Sequence, residues 1–383
     1  MKKFTRTYTS PLYHGEIFDM YHGDLKPCIF DIETTGLSAQ RGNKIILTAC
    51  MTADGKGSKI TQFLAETPYE EDRVLMSTME FLCEEGVDYL ITYNGATFDI
   101  PFVKQRLELL HLPYILNMYE YDLYNFIRSN TNLKSEIGSI SQKNVEAYFG
   151  IGTNRKDVIS GRESVKLFSE YAVNQDSVIE KIILTHNRED VLQLNHLVNI
   201  VGQDNFAGVL GNRDCQDSLA DVLKDRDCQN LDWALAQTGA GLPSADGELT
   251  ARPRLAAGCL TVTGRQLRAP HKLSDSAEYA INANIFPDTA DSISAEFIKD
   301  NSSYQIKIPL ESHEKSQFID IKNILATAEA SGDNAQHKYA GLLRLSDNLI
   351  NDYLLLVDNG QELNREINLL SILISTQIYK RVR

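Results

Sequence analysis

The run Cys28-Ile29-Phe30-Asp31-Ile32-Glu33 sets two carboxylates inside an apolar stretch that reads as a β-strand, ended by Thr34-Thr35-Gly36. Side chains alternate along a strand, so Asp31 and Glu33 share one face while Phe30 and Ile32 share the other. Two carboxylates side by side repel each other and lose hydration if covered. A divalent cation between them removes both penalties. The same pattern also suits two solvated carboxylates on an edge strand. Any fold of this chain has to provide one of these two surroundings.

The text around that strand reads as a mixed sheet flanked by helices. Lys44 to Met51 and Lys59 to Leu64 are strand-like and are separated by the turn signal Asp54-Gly55. Thr67 to Cys83 is amphipathic, and Glu70 three residues after Thr67 suggests a capping box. A buried strand is expected at Asp88 to Tyr93, a helix at Phe98 to Leu110 and a short fifth strand at Tyr114 to Asn117. Helices follow at Leu123–Arg128, Asn144–Phe149, Arg162–Tyr171 and Ser177–Val201. Strands in hairpin succession followed by helix–strand–helix–strand place the chain in the α/β class.

The 383 residues suggest about two domains at the usual ~150 residues each. Residues 1–24 carry aromatics without clear periodicity and are expected to be an extension packed on the first domain, residues 25–202. Residues 203–255 are polar and Gly-rich and read as a linker with one helix, Ser218–Lys224. The tetrapeptide RDCQ occurs twice in it, at Arg213 and Arg226, which is too few copies for a repeat architecture. Residues 256–383 read as a smaller α+β domain with strand-like runs at Leu260–Val262, Tyr279–Ile285, Ser294–Ile298, Tyr304–Ile308 and Tyr353–Val357, and a final helix from Gln361.

Charge and cysteine content narrow the function classes. The net charge is −14, shared evenly: 20 Lys+Arg against 27 Asp+Glu in residues 1–202, 18 against 25 in the remainder. A protein that grips duplex DNA through its bulk field is usually basic, so nucleic-acid contact here has to be local or assisted by cations. Six scattered cysteines with no CxxC pair point to reduced thiols and a cytoplasmic location rather than a disulfide framework or zinc site. No apolar run reaches the ~18 residues that cross a bilayer, and no apolar segment follows the two N-terminal lysines as in a secretory signal.

Two further pieces carry acids in informative places. Tyr93-Asn94-Gly95-Ala96-Thr97-Phe98-Asp99 runs from a buried strand through a turn into a helix start. Asp99 in the first helical turn suits the helix dipole, as an ordinary helix-start acid also does. In His186-Asn187-Arg188-Glu189-Asp190-Val191, His186 and Asp190 are i, i+4 and share a helix face that can look into a site or simply into solvent.

Together, FDIETTGL at 30–37, N-x-x-x-F-D ending at Asp99 and H-N-x-x-D-V at 186–191 resemble, in order and interval, the three motifs of the DEDD exonuclease superfamily. That superfamily has a ribonuclease H-like fold. The resemblance covers about residues 25–202 and is closest to a bacterial branch of ribonuclease H-like predicted 3′–5′ exonucleases. Residues 144–151 and 155–161 resemble intermediate text of that branch. The implied architecture is a ribonuclease H-like mixed five-stranded sheet flanked by helices, followed by the smaller α+β domain.

The resemblance implies that Asp31, Glu33, Asp99 and Asp190 hold two Mg²⁺ or Mn²⁺ ions, and that His186 is the general base. Three residues separate His186 from Asp190, the spacing of the family's tyrosine branch, with histidine in the tyrosine's place. Asn94 and Phe98 match residues flanking the second motif. The chemistry agrees: hard cations favour carboxylate oxygen, two of them can serve phosphodiester hydrolysis, and imidazole can accept a proton near neutral pH. Four carboxylates at −4 and two divalent cations at +4 leave the centre no longer acidic toward phosphate.

Substrate contacts are expected from Thr34, Gly36 and Leu37, with Leu37 against a terminal base, although a core leucine fits the same text. Lys143, Arg155 and Lys156 are candidates for phosphate, or for a solvated basic loop. The expected partner is nucleic acid with a single-stranded 3′ end, with no membrane association and a protein partner possible through residues 256–383. The expected activity is metal-dependent 3′–5′ exonuclease. The alternative is a catalytically silent nucleic-acid-binding or scaffold protein on the same fold; a sequence-reading DNA-binding protein fits poorly, for want of a basic recognition helix.

Overall fold

Where hydrophobic residues recur with strand or helix period, the chain forms the element that buries them. In the computed structural model, the described residues are 1–13, 20–23, 25–151, 155, 159, 161–201, 241–244, 247–267, 280–281, 294–297 and 303–382. The chain divides into two units, residues 1–20 with 25–225, and residues 21–24 with 226–383.

The first unit is built on a mixed sheet of β1 (Lys2–Tyr8), β2 (Pro27–Thr34), β3 (Ile45–Asp54), β4 (Gly57–Leu64), β5 (Tyr89–Thr92) and β6 (Tyr119–Asp122), in the order β1-β4-β3-β2-β5-β6. Neighbouring strands β1 to β2 along that order are antiparallel; β5 and β6 add in parallel. The expected class holds, and the sheet has one strand more than the five expected. The extra strand comes from the N-terminal stretch, which pairs with β4 from Lys2↔Leu64 to Tyr8↔Ser58. Lys2, Lys3 and Arg6 hide it from a hydrophobicity reading, because an edge strand keeps polar side chains in water.

The fifth strand lies further along than Tyr114–Asn117. It forms at Tyr119–Asp122, where Glu120 and Asp122 alternate with Tyr119 and Tyr121 and all four are buried. The helices are α1 (Glu71–Glu84), α2 (Asp99–Leu109), α3 (Leu123–Asn130), α4 (Leu133–Ile137), α5 (Gln142–Tyr148), α6 (Gly161–Asn174) and α7 (Ser177–Val201); all follow expectation except the short α4, which the sequence reading left out. The capping box does not form: Thr67 makes no side-chain cap, and Glu70 Oε2 accepts instead from Glu66 N at 2.8 Å. Phe30 and Ile32 point into a core shared with Ile46, Leu47, Val74, Leu90 and Phe102, while α7 packs on β2, β3 and β4.

In the second unit, β7 (Leu242–Pro243), β8 (Thr250–Ala256), β9 (Cys259–Arg265), β10 (Ala280–Ile281), β11 (Ser294–Phe297) and β12 (Ser303–Pro309) form a sheet of order β10-β11-β12-β9-β8-β7. A smaller sheet joins β13 (Glu311–His313), β14 (Ser316–Asp320), β15 (Leu349–Ile350), β16 (Tyr353–Asp358) and β17 (Gln361–Glu362). Its helices are α8 (Lys322–Ala330), α9 (Asn334–Arg344) and α10 (Asn364–Val382).

Residues 241–255, read from sequence as linker, instead carry β7 and most of β8. Pro253 between Arg252 and Arg254 masks the strand, whose alternation is visible only in its burial. The expected linker helix at 218–224 and the RDCQ echo lie outside the described residues. Among the described residues no helix is long and apolar enough to cross a membrane.

Candidate active site

β2 lies inside the sheet, between β3 and β5, so its carboxylates are not those of an edge strand. Its last parallel pair with β5 is Ile29↔Ile91, and the strand then runs on past its neighbour. This overrun carries Asp31 and Glu33. Such a point, where a strand outruns its partner at its C-terminal end, is where open sheets leave a crevice.

The other elements close on that overrun. After β5, Asn94 takes φ +66°, a left-handed conformation that asparagine tolerates. Gly95 then passes so close to Thr92 that a Cβ on it would lie 2.4 Å from the threonine Cβ. This turn delivers Asp99 to the first position of α2, where its Oδ1 accepts the Ile32 N–H at 3.1 Å. The third acid is thereby tied to the backbone between the first two. Asp122 holds the turn from the far side, accepting from Asn94 N at 2.8 Å and Ala96 N at 3.2 Å while capping α3.

α7 brings the last pieces. His186 Nε2 lies 3.6 Å from Glu33 Oε1 and 3.7 Å from Asp190 Oδ2. One ligand atom each from Glu33, His186 and Asp190 falls within 4.8 Å of the others, a spacing that can surround a metal ion. Asn187, adjacent on the helix, donates from Nδ2 to Asp31 Oδ2 at 2.7 Å.

Asp31, Glu33, Asp99, His186 and Asp190 line a cleft of about 1010 Å³, with Thr34, Gly36, Leu37, Asn94, Phe98 and Lys143 of the sequence expectation also on its wall. Leu37 is 87% exposed there, so it is not a core leucine. Phe98 packs on Phe102 with ring centroids 5.6 Å apart. Gly36 runs against Asn43, whose Oδ1 would sit 2.6 Å from an added Cβ. Lys143 Nζ donates to Ile159 O at 3.1 Å.

Arg155 behaves differently from its expected phosphate role. Its guanidinium holds both oxygens of buried Glu146, at 2.7 and 2.8 Å, and also donates to Asp190 Oδ1. One of the four acids is therefore ion-paired internally. Lys156 lies outside the described residues.

The electrostatics are those of carboxyls crowded together in a partly sheltered cleft. Burial pushes the Asp31 carboxyl well above its ordinary range, and the charges of Asp99, Asp190 and Glu33 push it further. Burial raises Glu33 to about 7 against the opposing pull of His186. Burial likewise raises Asp99 to about 7, against the Ile32 N–H that favours its ionised form. Carboxylates this crowded, with one imidazole beside them, fit divalent cations.

Several residues of the site escape the sequence reading. Tyr93 and Tyr124 also line the cleft, edge to face at 5.9 Å, as do Val165 and Lys166. Glu120 and Asp122 obey the same i, i+2 acid pattern as Asp31 and Glu33, and that pattern could have located β6. Asn187 stands inside the third motif without an expected role, and Gln62, a neutral polar residue on β4, carries no such signal.

Residues 28–201 match a family model described as RNase_H_2, of the RNase_H superfamily. The uncharacterized protein YprB of Bacillus subtilis (strain 168) is 31% identical over 167 residues, covering 43% of this chain and 39% of that protein. A DNA polymerase of Pyrococcus glycovorans is 29% identical over 137 residues, 29% of this chain and 18% of the polymerase. The chain thus spans well under two thirds of these relatives. The solved family B DNA polymerase of Pyrobaculum calidifontis is similar over 92% of this chain and 47% of that one, at 14% identity and a TM-score of 0.37, which is too slight to carry an argument.

Proposed function

We propose, from the match of residues 28–201 to a family model of the RNase_H superfamily together with the acid cluster, that the protein is a metal-dependent 3′–5′ exonuclease acting on a single-stranded 3′ end in the cytoplasm. The observation that carries the reading is the convergence of Asp31, Glu33 and Asp99 with Asp190 on one cleft, the first three carboxyls raised by burial and Asp31 further by the charges of the other three. Similarity to DNA polymerases agrees with a nucleic-acid substrate.

Asp31, Glu33, Asp99 and Asp190 would hold two divalent cations, Mg²⁺ or Mn²⁺, which neutralise the phosphate and stabilise the departing 3′-oxygen. His186, with Nε2 between Glu33 and Asp190, takes the proton from the attacking water. Exposed Leu37 and the partly buried Phe98 ring offer apolar faces to the terminal base, worth ~1–3 kcal/mol per stacked base. Thr34, Gly36 and Asn94 shape the wall beside it, and Lys143 is the nearby cation for phosphate.

A catalytically silent nucleic-acid binder is the second reading. One feature favours it: Arg155 already supplies a positive charge to Asp190. The full chain incubated with 5′-labelled single-stranded DNA and RNA separates the two. The expected result is stepwise shortening from the 3′ end with Mg²⁺ or Mn²⁺, none with chelator, and none in Asp31→Asn, which keeps the shape and the Asn187 contact. No metal-dependent shortening by the wild type, or full activity in Asp31→Asn, overturns the proposal.

A further inference from the structure

Asn187 follows the catalytic-face histidine on α7 but points elsewhere. It is fully buried, at 0% exposure, and so cannot exchange its hydrogen bonds with water. Its Nδ2 donates to Asp31 Oδ2 at 2.7 Å, and its Oδ1 accepts from Gln62 Nε2 at 2.7 Å. Gln62, on β4 and 4% exposed, also donates from the same nitrogen to Leu184 O at 3.0 Å.

The order of donors in this chain is forced. Leu184 O is a carbonyl and can only accept, so Gln62 must turn its NH₂ toward α7. The second hydrogen of that NH₂ then needs an acceptor, which fixes Asn187 with its oxygen toward Gln62. The Asn187 NH₂ is left facing Asp31, and the hydrogen bond to the carboxylate is charge-assisted. A helix carbonyl, a sheet glutamine and a helix asparagine thus select the orientation of one carboxylate. Asp31 Oδ2 is engaged, and the other oxygen remains for the cleft.

Asp31 needs such help more than its neighbours. Asp99 is held by the Ile32 N–H and Asp190 by Arg155. Asp31 is pressed by the charges of Asp99, Asp190 and Glu33, which would turn an unrestrained carboxylate away.

Resting on the nuclease reading above, we propose that Asn187 is a positioning residue that presents Asp31 to the cation, and that Gln62 acts on the same carboxylate through Asn187 without touching the site. Partners of this kind alter metal affinity by about 10–100-fold. The relay also predicts non-additivity: once Asn187 is gone, Gln62 has nothing left to orient.

The test is Mn²⁺ titration of the full chain by electron paramagnetic resonance, without substrate, beside thermal melting without metal. Asn187→Leu is expected to weaken Mn²⁺ binding about 10–100-fold. Gln62→Met is expected to weaken it by a smaller factor while the metal-free chain still melts cooperatively, and the double variant to match Asn187→Leu alone. Mn²⁺ affinity within threefold of wild type in Asn187→Leu overturns the proposal, and so do additive losses in the double variant. If Asn187→Leu does not fold, Gln62→Met decides: weaker binding by a chain that still melts cooperatively above the titration temperature supports the relay, and wild-type binding overturns it. A wild type that binds no Mn²⁺ removes the nuclease reading itself and the relay with it, an outcome distinct from a wild type that binds and variants that bind equally well.

Discussion

In the first unit, Glu33, Asp99, Glu120, Asp122, Glu146 and His186 are all buried, and Glu33, Asp99 and His186 line one cleft. In the second, the buried polar groups are mostly neutral and lie along α10, where residues 366–378 are buried without a break. There Ser371 Oγ donates to Ile367 O at 2.6 Å, Thr376 Oγ1 to Ile372 O at 2.8 Å and Gln377 Nε2 to Ile324 O at 2.9 Å. Its buried carboxylate, Glu366, accepts from Ser346 Oγ at 2.7 Å. A short hydroxyl can satisfy itself on its own helix, so burying it costs little. A carboxylate cannot, and needs hydrogen-bond donors, an opposite charge or a proton to stay buried. Buried charge without enough opposite charge marks the site; buried neutral polarity marks packing.

The contrast is sharpest in turnover. His186→Ala is expected to lower 3′-end cleavage about 10²–10⁴-fold, measured in single-turnover assays at saturating cation. Ser371→Ala, a buried polar residue of the other kind, should leave the rate at wild type. Equal effects from the two would erase the distinction between the units.

Stability probes the same idea from the side of the internal counterion. Arg155→Met leaves buried Glu146 and the ion-paired oxygen of Asp190 without their cation. Breaking a buried pair from one side costs about 3–5 kcal/mol. That loss should appear in urea unfolding of the metal-free chain and be partly recovered by Mn²⁺. An unchanged unfolding midpoint would mean that the first unit carries its buried carboxylates without internal help.

The smallest effect belongs to the second unit. Both amide atoms of Asn368 are buried with no hydrogen-bond partner among the described residues. Asn368→Leu should raise stability by about 1–2 kcal/mol, since an unmade buried hydrogen bond is removed. A fall in melting temperature would show that this amide is satisfied after all, and the neutral polar groups of α10 would then count as structural requirements.

The sequence alone determined the site's acids and the elements that bear them. Asp31 and Glu33 stand two apart in an apolar strand, His186 and Asp190 four apart on a helix that forms at 177–201 as its periodicity requires. These are local facts, carried by the two periods of the backbone. The tertiary structure decided what lies across sequence distance. It made β2 an interior strand, exposed Leu37 instead of burying it, turned Arg155 toward Asp190, and joined Asn187 to Gln62 and to Asp31 over separations of 125 and 156 residues. It also placed β1, β6 and β8, whose lysines, acids and proline read as non-strand, because a ladder bond depends on the neighbouring strand and not on hydrophobicity. Local order follows from side chains a few residues apart; which carboxylate meets which amide follows only once the sheet is closed against α7.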